Sequence, residues 1–171
     1  SHFYGVFEDG ELKCRGIEAR RKDVPNLIAE MQLKMIEALA PATTEEEFKS
    51  LFPKLFGILK NHVKALPHAT ADDLAVTRTL SKTEYANNIP QKLILQQMKN
   101  EGFDVKPGMA ISYIINDACN KNPLKRYTSI DSFNGKFDLN KYSELMVRAT
   151  FSILQPFGVT MQQLCEKIKN S

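Results

Sequence analysis

Between Val24 and Val63 the apolar residues recur every three or four positions, and that spacing restricts the fold more than any other feature of the chain. Leu27, Ile28, Met31, Met35, Ile36 and Leu39 line one face of a helix expected over Val24–Ala40, which Pro41 stops. Asp23 is expected to cap this helix and Pro25 to lie in its first turn. Thr44 then caps a second helix, with Glu45, Glu46 and Glu47 where the helix dipole favours anions. Its stripe is Phe48, Leu51, Phe52, Leu55, Phe56, Leu59 and Val63, with Pro53 placed to kink it early. A stripe so regular is core-facing. The short Pro41-Ala42-Thr43 connection predicts that the two helices pack antiparallel.

The period changes at the front of the chain. Phe3–Phe7 is aromatic and β-branched, Asp9-Gly10 is a tight-turn dipeptide, and Leu12–Ile17 is the return strand of a predicted hairpin. Gly16 marks a bulge or a close backbone approach, and Arg20, Arg21 and Lys22 follow at once. Cations on a sheet edge beside a helix start suit phosphate oxygens. Further along, Asp72–Arg78 is expected to be extended, Pro90 opens a helix over Gln91–Asn100 that Gly102 ends, and Lys106-Pro107-Gly108 is a turn. Met109–Ile115 alternates as a strand, and Lys125, Arg126 and Tyr127 form a small basic and aromatic cluster. Asp138 caps a helix from Leu139 to about Gln155, and Thr160 caps a closing one through Leu164 and Ile168. The expected class is α+β, mostly helical, with two small strand pieces.

Composition excludes more than it assigns. At 171 residues the chain can bury one real core, with at most a small appended piece. No apolar run is long enough to span a membrane, and the formal charge of +3 is too small to prove a nucleic-acid partner by itself. The cations do cluster, however: from residue 78 to 99, Arg78, Lys82, Lys92 and Lys99 face only Glu84. Cys14, Cys119 and Cys165 match neither a disulfide framework nor a zinc spacing, and are expected to be reduced intracellular thiols in a cytoplasmic protein. His2, His62 and His68 are scattered, and no phosphate loop, dinucleotide fingerprint or nucleophile elbow is present. The adjacent pair Asp72-Asp73 could hold Mg²⁺ only with a further ligand, and capping is its expected use. No self-contained active site is expected.

Several stretches resemble, in order, the archaeal family B DNA polymerases. Tyr4-Gly5-Val6, Asp9-Gly10 and Arg15-Gly16-Ile17-Glu18-Ala19-Arg20-Arg21-Lys22-Asp23 resemble the hairpin and Arg-Gly-(Leu/Ile)-Glu-x-x-Arg-Arg-Asp turn that follow the family's last catalytic motif. Thr77-Arg78-Thr79-Leu80-Ser81-Lys82 with Tyr85 resembles its Thr-(Lys/Arg)-x-Leu-x-Lys and Tyr. Ile89-Pro90-Gln91, Val105-Lys106-Pro107-Gly108, Ile111-Ser112-Tyr113-Ile114 and the run from Phe137-Asp138 through Tyr142 to Pro156-Phe157-Gly158 resemble later thumb signatures. Residues 41–66 carry none of these. Departures from the pattern are Gln91 where a His is common, Lys22 where an Arg is common, and a tail lacking the paired-aromatic sliding-clamp box.

The resemblance implies a palm-edge hairpin over residues 1–23 and a thumb domain over 24–171, from an excised domain or the small subunit of a split polymerase. It implies a grip on newly made primer-template duplex through phosphates and the minor groove, by Tyr4, Arg15, Arg21, Lys22, Arg78, Lys82, Tyr85 and Lys92. The partner would be the exonuclease, palm and fingers portion, whose aspartates would bind Mg²⁺; no catalytic residue, metal ligand or cofactor is expected in this chain, which alone should be inactive. Read without the resemblance, the chain could instead be a stand-alone helical protein-interaction module.

Overall fold

The computed structural model describes residues 4–8, 11–15, 23–81 and 85–169, with the backbone alone for the first two stretches. Strands β1 (Tyr4–Glu8) and β2 (Glu11–Arg15) pair antiparallel, with Tyr4 opposite Arg15 and Glu8 opposite Glu11. This is the expected hairpin, in slightly shorter strands. Its Asp9-Gly10 turn, Gly16, and the cations Arg20, Arg21 and Lys22 lie outside the described residues.

The helices follow the apolar spacing closely. Helix α1 covers Asn26–Leu39, α2 Glu45–Ser50, α3 Phe52–Ala65, α6 Leu139–Leu154 and α7 Met161–Lys169. One expectation needs correction. The predicted kink at Pro53 is a break: α2 ends at Ser50, Leu51 caps both helices, and α3 begins at Phe52, because a proline is accepted only in the first turn of a new helix. Helix α1 starts three residues after Asp23, at Asn26, and the Asp23 carboxylate pairs through Oδ2 with Arg78.

Contacts divide the chain into two compact units, one of Ser1–Arg21, Asn26–His68 and Tyr142–Ser171, the other of Lys22–Pro25 and Ala69–Lys141. The second thus interrupts the sequence of the first at two places. The first unit is helical around Ile28, Met31, Met35, Phe48, Leu55, Leu59, Tyr142, Met146 and Leu164, all essentially inaccessible to solvent. Gln32 is fully buried among them and donates from Nε2 to the Ala149 carbonyl at 3.1 Å, which satisfies a polar group that burial would otherwise penalise.

The second unit packs α5 (Pro90–Asn100) against a three-stranded antiparallel sheet of order β3 (Val76–Thr79), β4 (Ala110–Ile115), β5 (Tyr127–Ser129). Its core is Val76, Leu80, Ile94, Leu95, Val105, Ile111 and Tyr113, with Tyr85, Met98 and Tyr127 packed on it. The expected extended run from Asp72 is in fact one turn of helix, α4 (Ala71–Leu74), before β3 begins. Thr70 and Asp73 close a reciprocal capping box there, so the local side-chain bonds outcompete an extended backbone. At the far side of the sheet's central strand, Lys106-Pro107-Gly108 is the predicted turn, with Gly108 at φ +90° where a side chain would be strained. The mostly helical α+β class is as expected, with a third strand in the sheet.

Candidate nucleic-acid interface

Arg78 stands on edge strand β3 and is held from two sides. In register it faces Ile111, and Val76 faces Tyr113, so Tyr113 lies two positions along β4 on the same side of the sheet. That offset suits a long side chain. Arg78 Nε donates to the Tyr113 hydroxyl at 3.2 Å, and Nη1 donates to Asp23 Oδ2 at 3.3 Å. Burial pulls the guanidinium pKa down, but the Tyr113 hydrogen bond and the attraction of Asp23 outweigh it, and the net displacement is upward. Burial pushes the Tyr113 phenol above its ordinary value, only partly opposed by Arg78. The Tyr113 ring is itself braced edge-on by Tyr127 at 5.4 Å between centroids.

Two guanidinium nitrogens are therefore engaged inside the protein, while the side chain stays 37% exposed. An arginine held in this way presents a fixed fork to solvent at little entropic cost, a geometry suited to phosphate oxygens. Beside it, on the opposite side of the sheet, Thr77 and Ser112 face each other in register with their hydroxyls 2.8 Å apart.

Tyr85 and Lys92 belong to the same unit. The Tyr85 hydroxyl accepts from the Ser81 backbone N–H at 3.1 Å while its ring packs on the core. Lys92, half-buried in the first turn of α5, donates from Nζ to Asn88 Oδ1 at 3.3 Å and the Ala86 carbonyl at 3.4 Å. Both residues tie down the segment between β3 and α5. Arg78, Tyr85 and Lys92 are thus gathered around one sheet-and-helix core. Tyr4 and Arg15 are brought opposite each other in the hairpin register. Arg21, Lys22 and Lys82 lie outside the described residues.

Three contributors escaped the sequence. Asp23 and Tyr113 hold Arg78; the sequence marks them only as members of the motif stretches, Asp23 as a helix cap and Tyr113 in an alternating strand. Gln97 holds edge strand β5: its Nε2 donates to the Tyr127 carbonyl at 2.7 Å, and its Oε1 accepts from the Ser129 N–H at 3.3 Å. The amide thereby supplies the donor and acceptor that a neighbouring strand would provide. The loop before β5 is similarly fastened, with Arg126 Nε donating to the Asn120 carbonyl at 2.8 Å and Asp138 Oδ2 accepting from Ala118 N–H at 2.9 Å. Asp138 also caps α6 as expected, accepting from Lys141 N–H at 2.9 Å.

Among the described residues no group of three or more His, Cys, Asp or Glu is arranged to hold a metal, and no helix is long and apolar enough to cross a membrane. Asp73 is committed to its capping box.

No family model matches the chain. It is 29% identical over 164 residues to a DNA polymerase of Pyrococcus horikoshii, a match covering 93% of this chain and 13% of that protein. It is 26% identical over 176 residues to DNA polymerase 1 of Sulfolobus acidocaldarius, covering 98% of this chain and 19% of that protein. In fold it superposes on the family B DNA polymerase of Pyrobaculum calidifontis with a TM-score of 0.67 at 24% identity, over 91% of this chain and 20% of that one. The chain is homologous to a segment of the archaeal family B DNA polymerases. It spans only about a tenth to a fifth of the length of these polymerases. Within the matched span the Arg78 site draws on Thr77–Ser81, which is β3 and its extension, and on Ile111–Ile114, the strand that supplies Tyr113.

Proposed function

We propose that this chain is the thumb portion of a DNA-directed DNA polymerase, preceded by the edge of its palm, and that it grips the newly made primer-template duplex. The observation that carries the reading is the similarity to polymerases over more than nine-tenths of this chain but only a small part of each polymerase. A grip that must accept any sequence relies on phosphates and the minor groove rather than on base edges of the major groove. Arg78 supports that role: it stands on a rigid strand, charged at any physiological pH, and partly open to solvent. Arg15, Arg21, Lys22, Lys82 and Lys92 are assigned the neighbouring phosphates, with Tyr4 and Tyr85 contributing contacts and orientation.

Binding of this kind aids catalysis by holding the primer end in line for attack, since a small displacement loses the near-attack geometry. The Mg²⁺ chemistry of nucleotide addition is assigned to the exonuclease, palm and fingers portion, with this chain inactive alone. The partners are then that portion and primer-template DNA, in the cytoplasm. Replacing Arg21 and Lys22 together by Ala tests the assignment by fluorescence anisotropy of a labelled primer-template. Loss of two phosphate contacts should weaken binding and flatten the salt dependence of log Kd by about 2. Equal affinity and slope for the double variant and the wild type would remove both residues from the interface.

A further inference from the structure

The helical unit carries a groove that the duplex-binding reading does not use. It lies between α3 and α7, has a volume of about 490 Å³, and is lined on its inner side by Phe52, Phe56 and Phe157. Phe157 stacks at 5.0 Å on the fully buried Phe48 and meets Phe52 edge-on at 5.9 Å, so the aromatic wall is braced from behind. The wall is only half-buried at Phe52, Phe56 and Phe157. At the rim the Lys167 ammonium lies over the Phe56 ring, 5.4 Å from its centroid, beside Glu166 and Gln163. Lys60 stands one turn beyond Phe56 on the same face of α3, and Lys64 one turn further, rotated by about 80° from Phe56. Helix α3 contains Lys54, Lys60 and Lys64 and no acidic residue.

We infer that this groove is a binding site for single-stranded nucleic acid, distinct from the duplex grip. The chemistry is that of a stacking platform with a cationic track. A base has an aromatic face to set against the Phe wall and a phosphate on either side to meet Lys60, Lys64 and Lys167. The partner's charge is chosen by α3: a track of lysines without carboxylates attracts a polyanion, with Glu166 the one opposing charge in the lining. An arriving phosphate would draw the Lys167 ammonium off the Phe56 ring and leave that face to a base. Stacking tolerates any base, so the site should bind without sequence preference.

The test uses the full chain and three labelled probes at low and moderate salt: a short oligothymidylate, a blunt duplex, and a glutamate-rich peptide carrying one phenylalanine. Oligothymidylate should bind in a salt-sensitive way. Phe56→Leu keeps apolar volume but removes the stacking face, and should weaken that binding about fivefold or more. Lys60→Glu should weaken it and flatten its salt dependence, and both variants should bind blunt duplex as the wild type does. Circular dichroism confirms that each variant is folded. Absence of oligothymidylate binding, or equal binding by both variants, overturns the inference. Binding of the peptide in its place also overturns it and gives the groove to a protein partner. Loss of duplex binding alone, with oligothymidylate binding intact, would instead count against the thumb reading.

Discussion

Tyr113→Phe removes one oxygen from the center of the Arg78 site and little else. The ring is 3% exposed and stays packed against Val76, Ile111 and Tyr127, so no cavity opens. What disappears is the acceptor for Arg78 Nε at 3.2 Å. A hydrogen bond to a charged group is worth about 1.5–3 kcal/mol when buried, but Arg78 is more than a third exposed and can turn to water, which lowers the expected loss to about 1 kcal/mol. In a chain of this size that corresponds to a fall in Tm of about 2–4 °C. The pH dependence carries a second signature. The phenol of Tyr113 is raised above 10.0 in the folded protein, so the folded state resists an ionisation that the unfolded chain accepts. Its contribution to stability is full below pH 10 and is lost as pH rises through the folded value. Urea denaturation of both proteins from pH 8 to pH 11 should show the wild type more stable at the low end and the gap narrowing above pH 10. No gap at pH 8 would refute the assigned bond, and a gap that stays constant to pH 11 would refute the upward displacement that burial gives the phenol.

Gln97→Ala strips edge strand β5 of its substitute neighbour and leaves the Tyr127 carbonyl and Ser129 N–H without it; stability should fall by about 1–3 kcal/mol, with faster amide exchange at Ser129 than at β4 positions. Unchanged exchange at Ser129 would show that the amide does not hold the strand. Leu59→Ala empties a fully buried position in the helical unit and should cost about 2–5 kcal/mol in denaturant melts, while a cost below about 1 kcal/mol would mean that the core collapses to fill it.

The helices were legible because each repeats its signal over several turns: Leu27 to Leu39, Phe48 to Val63 and Leu145 to Leu154 each mark a buried face. Capping was legible at Thr44, Asp138 and Thr160, where a side-chain acceptor stands just before an apolar run and accepts from Glu47, Lys141 and Gln163 backbone N–H groups respectively. Strand β5 was not legible, since three residues carry no period and its edge is satisfied by Gln97 from a helix some thirty positions earlier. The break between α2 and α3 was half visible: Pro53 announced a disturbance, but its position in the first turn of a new helix depends on where the preceding one stops. The cations were legible as a cluster and their roles were not. Arg78 and Lys92 look alike in sequence, yet one is fastened to a buried tyrosine and an aspartate, the other to a loop carbonyl and an asparagine. Asp23 illustrates the same limit, because its partner lies 55 residues away and its helix-capping position is only local.

The most direct test of the polymerase-thumb account is the salt dependence of binding to a blunt duplex by the full chain, read by fluorescence anisotropy. A phosphate grip predicts duplex binding that Phe56→Leu leaves unchanged, and a linear fall of log affinity with log salt, its slope near −5 if all six assigned cations engage. No duplex binding at low salt, or an affinity indifferent to salt, would contradict it.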